Sequence, residues 1–167
     1  MGRLRMATVA LLGAASLLVG GSAFASADDA DSFLQFESMT PVTGSAVGAV
    51  NDRGLTGGGK PWVITSGTGE LDHNGHLHVS VTGLVIPVAP FNGTNPLTKF
   101  AAVVSCLTPK HGIVNLLTAP VATGPAGDAT IDTTVALPRG CHQPEVFVTS
   151  AGGAWFAMSN ALDEGDD

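Results

Sequence analysis

Tyrosine is absent from the 167-residue chain, aromatic residues make up only 5% of it, and seven lysines and arginines stand against 14 aspartates and glutamates. So little positive charge excludes a basic stripe able to neutralise phosphates, so neither nucleic acid nor an anionic membrane surface is an expected partner. The few aromatics, among them Trp62, Phe147, Trp155 and Phe156, lie in expected strands, where such side chains belong to a core more often than to a ligand platform. No G-x-S-x-G elbow, H-E-x-x-H helix or S-x-x-K sequence is present. An enzyme is therefore not expected, although a hydrolase whose triad assembles from distant positions stays a third reading.

A long apolar run is also missing. Residues 6–19 are apolar or small almost throughout, yet this falls short of the roughly 20 residues of a membrane span, and residues 155–162 are shorter still. Arg3 and Arg5 precede the run and Ala23-Phe24-Ala25 follows it, which reads as a secretory signal peptide over residues 1–25, with a second cut after Ala27 almost as good. No cysteine stands directly after the cut, so neither a lipid nor a membrane anchor is expected and the product is read as secreted. Residues 26–32, with Asp28, Asp29 and Asp31, read as a flexible acidic exit segment, 33–162 as one domain, and 163–167 as an acidic disordered tail. Removing Arg3 and Arg5 with the signal leaves five basic groups against 14 acidic ones, a net charge of −9. The two cysteines, Cys106 and Cys141, are too far apart for a C-x-x-C motif, and an even count in an exported chain predicts one disulfide. Closing a loop of that size stabilises a fold by about 3 to 4 kcal/mol on the chain-entropy model.

What the sequence does hold is glycine, 22 of them, with 10 prolines, and between them apolar residues that alternate with polar ones at strand spacing. Residues 62–72 and 76–83 form the clearest hairpin, joined by His73-Asn74-Gly75 with the glycine in the left-handed position. That register sets Leu71 opposite Leu77 and turns Leu77, Val79 and Val81 to the core, with His76, His78, Ser80 and Thr82 on the other face. Further strands are expected over 33–37, 98–107, 129–137, 145–149 and 155–158, with 113–117 as an additional one. In 98–107 the residues Phe100, Ala102, Val104 and Cys106 share one face, and in 129–137 Thr130, Asp132 and Thr134 share the polar one. Seven or eight short antiparallel strands with turns between them predict an all-β, immunoglobulin-like β-sandwich. Segments 44–61, 87–96 and 118–128 read as loops, the first Gly-rich and of poorly specified conformation.

The most chemical cluster is Glu70, Asp72, His73, His76 and His78. In the hairpin register Asp72 faces His76 and Glu70 faces His78, which is ordinary cross-strand charge pairing. The same four side chains, His76 and His78 with Glu70 or Asp72, are the candidate ligands of Zn²⁺ or Cu²⁺ in the alternative reading of a metal-binding protein. Residues 54–60 satisfy the first seven positions of a phosphate-cradling loop, but Pro61 stands where a Ser or Thr would hold Mg²⁺ and a strand follows instead of a helix. No cofactor is expected. The elements Gly57-Gly58-Gly59-Lys60-Pro61-Trp62, Gly83-Leu84-Val85-Ile86-Pro87, Val104-Ser105-Cys106 and Leu137-Pro138-Arg139-Gly140-Cys141 resemble a group of small exported bacterial proteins of unassigned function. That resemblance covers most of the mature chain and implies export and the disulfide. The expectation is a secreted, non-catalytic binding module for an extracellular protein or glycan, with loops 44–61 and 87–96 as its contact regions.

Overall fold

The computed structural model describes residues 32–162. The segments read as signal peptide, most of the acidic exit and the tail lie outside that range. Ten strands run in chain order: β1 (Ser32–Phe36), β2 (Ser38–Pro41), β3 (Ser66–Asp72), β4 (His76–Thr82), β5 (Lys99–Thr108), β6 (Gly112–Leu117), β7 (Val121–Ala122), β8 (Ala129–Thr134), β9 (His142–Thr149) and β10 (Trp155–Asn160). They form two antiparallel sheets, one ordered β1-β3-β4-β8 and the other β2-β10-β9-β5-β6 with β7 also on β5. The expected all-β sandwich is thus present. Its count exceeds seven or eight because β2, directly after the first expected strand, joins the other sheet and a short β7 is added.

The β3–β4 hairpin has the register read from its turn, with Leu71 opposite Leu77 and Glu70 opposite His78. Gly75 holds φ at +86°, and its N–H donates to the Asp72 carbonyl, which closes the three-residue loop. Leu77, Val79 and Val81 are buried as the alternation requires. They meet Phe100, Ala102, Val104, Val146 and Val148 of the facing sheet in one hydrophobic core. The strand expected from Trp62 begins only at Ser66, because Trp62 drops between the sheets and stacks on Phe156 at 4.2 Å, with Phe100 edge-on at 6.2 Å. Strand β8 likewise stops at Thr134, short of the expected 137.

Alternation misleads in β5. Phe100, Ala102, Val104 and Cys106 do face the core, but Ala101, Val103 and Ser105 on the opposite face are equally buried. The cover is segment 44–61, expected to be poorly specified and found instead as an ordered strap across that outer face. Gly57 forms a parallel bridge with Trp155, the Gly58 N–H donates to the Trp155 carbonyl, and the Trp155 N–H donates to Thr56. A Cβ at Gly57 or Gly58 would collide with the Ala46 carbonyl or with Trp62 and Phe156, so glycine here permits close packing of backbone. Cys106 and Cys141 are joined, with their Cα atoms 5.1 Å apart, tying β5 to the chain entering β9.

Candidate functional site

Two places in the described residues gather polar chemistry. The first is the outer face of the four-stranded sheet. Because β4 pairs with β8, His76 stands opposite Thr134 and His78 opposite Asp132. Asp132 then divides its carboxylate between two rings: Oδ1 lies 3.2 Å from His76 Nε2 and Oδ2 lies 3.3 Å from His78 Nδ1. All three side chains are substantially exposed. Hydrogen bonds from His78 first and His76 second hold the Asp132 carboxyl below the ordinary aspartate value of 3.8.

The carboxylates expected to pair with these histidines are otherwise placed. Asp72 Oδ1 accepts the backbone N–H of Asn74 and of His76, each at 2.8 Å, and so fastens the turn. The N–H of His76 is the main cause of a lowered Asp72 pKa. Glu70 keeps its register position opposite His78 but takes no part in the ion pairs. His73 stacks on Phe33 at 4.6 Å, away from the pair. The histidines therefore do pair across strands with a carboxylate, but it belongs to a different acid. Alternation had already put Asp132 on a polar face; only the neighbour relation of β8 and β4, made across 46 residues of intervening chain, was beyond a local reading. Among the described residues no group of three or more His, Cys, Asp or Glu side chains is placed to hold a metal ion. No Ser or Thr hydroxyl among them is hydrogen-bonded to His76 or His78.

The second place lies under the strap. Register sets Asn115, Ser105 and Glu145 side by side across β6, β5 and β9. Above them Arg53 is almost fully buried, and its Nη2 donates to Glu145 Oε1 and to the Gln143 carbonyl, each at 2.9 Å. Asn115 Nδ2 donates to the Arg53 carbonyl at 2.9 Å. Arg53 thus fastens the strap to two strands, β9 and β6. Nothing in the sequence singled it out, since one arginine in a Gly-rich segment carries no local pattern. The phosphate-loop resemblance of residues 54–60 dissolves here too: the Gly57 and Gly58 N–H groups are taken by the Ala49 and Trp155 carbonyls and are not free to cradle an anion.

Compared with known proteins, the chain matches no family model, no curated protein and no solved structure. Chemistry must therefore be read from the residues. Neither polar cluster holds an activated nucleophile, and the His–Asp face is an open surface.

The remaining surface feature is a group of loops at the end of the four-stranded sheet opposite the hairpin tip. Leu84 N–H donates to the Gly127 carbonyl and Asn95 N–H to the Pro125 carbonyl, so segments 83–97 and 118–128 lie together. Within them residues 87–90 and 92–94 are exposed.

Proposed function

We propose that this protein is an exported, non-catalytic domain that binds an extracellular protein or glycan through the projecting loop 87–96. The observation that carries this reading is that the loop is exposed along most of its length yet fixed at its base. Ile86 and Thr94 form an antiparallel bridge beneath it. Asn95 is buried; its Oδ1 accepts the Leu97 N–H at 2.9 Å, and its Nδ2 donates to the carbonyls of Leu97 and Gly124, both at 3.0 Å. A loop held in this way loses little conformational freedom when it engages a partner. Exposed Val88, with half-buried Phe91 beside it, offers apolar contact among backbone donors and acceptors. Loop 44–61 takes the lesser role, because its strap is spent on packing. Export is supported by the disulfide, which belongs to an oxidising compartment, and by the signal-like N-terminal sequence.

The test compares the native protein with a variant carrying a Gly/Ser sequence of equal length over 88–93, on intact producing cells and on a panel of purified polysaccharides. Binding that weakens about tenfold in the variant, at an unchanged melting temperature, is the expected result. Equal binding by both proteins would remove the loop from the reading. Failure of the native protein to bind any of these surfaces would count against a binding module.

A further inference from the structure

Strand β6 is an edge. It pairs with β5 alone, from Thr108↔Gly112 to Val103↔Leu117, without a bulge. The Thr118 N–H donates to the Ala102 carbonyl and the Gly112 carbonyl accepts from Thr108 Oγ1, so the even-numbered residues turn their backbone groups toward β5. Ile113, Asn115 and Leu117 consequently aim three N–H and three C=O groups outward, away from the sheet. Edges are normally protected by proline, charge, bulges or brevity. The other edges follow that rule: β2 has four residues and ends in Pro41, β1 has a register shift after Ser32, and β8 carries Asp132. The β6 sequence, Gly-Ile-Val-Asn-Leu-Leu, has none of these protections. Ile113 and Leu117 are 42% and 50% exposed.

We infer that the β6 edge is the interface through which two copies of this chain join, antiparallel, about a two-fold axis at Asn115. The residues themselves select this occupant. Centring the pairing on Asn115 sets Ile113 against Leu117 of the second copy on one face and Val114 against Leu116 on the other, and sets outward backbone groups only against outward ones. Two-fold symmetry requires such self-complementarity of the patch. Charge agrees. In a chain of 14 acidic residues none lies between Asp72 and Asp128, so β6 itself carries no acidic side chain to repel a second copy. The joined strands would extend two five-stranded faces into one continuous sheet, independently of what loop 87–96 binds.

The experiment measures molar mass by light scattering on the disulfide-bonded protein up to millimolar concentration, together with an Asn115→Cys variant under oxidising conditions. The inference expects a dimer mass for the native protein, a monomer mass for the folded Ile113→Lys/Leu117→Lys variant, and a covalent dimer of Asn115→Cys, because the axis brings that position against itself at a Cα separation of about 5.5 Å. An Ile113→Cys variant, whose partner is Leu117, serves as the control and stays unlinked. A native protein that is monomeric throughout, or a dimer whose mass the lysine pair leaves unchanged, would overturn the inference; binding of added extended peptides to a monomeric β6 edge would do the same in favour of a foreign strand.

Discussion

Asp72 and Asp132 sit on one sheet face and are both held below the ordinary aspartate value of 3.8, Asp72 mainly by the backbone N–H of His76 and Asp132 mainly by the imidazoles of His78 and His76. A carboxyl whose folded pKa is lowered binds its proton more readily in the unfolded chain, so its stabilisation is complete above the unfolded value and fades as pH falls through the folded one. The gap in denaturation midpoint between the native protein and Asp132→Asn is therefore expected to close as the pH falls below about 4, through the carboxylate range. Urea titrations at a series of pH values check this, and a gap that widens toward low pH would contradict it. Both groups are solvent-exposed, so the effect is small beside that of a core substitution. At this scale the identities of the histidines and the face they occupy follow from alternation, whereas their acid partner does not.

Among the elements, the β3–β4 hairpin was the most legible because its register is set by its own three-residue turn. Gly75 has a second role that its φ alone does not show. Its carbonyl accepts the Val135 N–H at 2.8 Å, and a Cβ at this position would strike the Val135 carbonyl oxygen. Gly93 supplies the comparison, for its φ is +88° and nothing lies within 4 Å of where its Cβ would be. Gly75→Ala is expected to cost about 1 to 3 kcal/mol more than Gly93→Ala, the difference reporting the clash in isolation from the positive φ. Equal losses by chemical denaturation would show that Val135 yields freely. Strand β5 was the least legible: polar–apolar alternation marks a face only where the other face meets water, and the strap fastened by Arg53 removes that water.

For the whole molecule the disulfide is the longest-range covalent constraint. The 35-residue separation of Cys106 and Cys141 takes in β6 and β7 on one sheet and β8 on the other, so the closed loop passes through both layers. Reduction is expected to lower unfolding stability by about 4 kcal/mol, read as the shift in urea midpoint with and without reductant. A loss below about 1 kcal/mol would mean that the unfolded chain stays compact without the bond.

The sequence by itself determined the class of fold, the cysteine pair and the hairpin register, because each depends on residues few in number or near one another: period-two alternation, two cysteines without a competitor, one turn with glycine at its left-handed position. Tertiary structure alone decided that β8 lies beside β4 and gives His76 and His78 the carboxylate of Asp132. It decided too that Arg53 is buried over Ser105 and Glu145, and that β6 is left with an open side. These are pairings between distant segments, governed by how two sheets share one core, and no local pattern of residues specifies a neighbour that the chain reaches only after tens of residues.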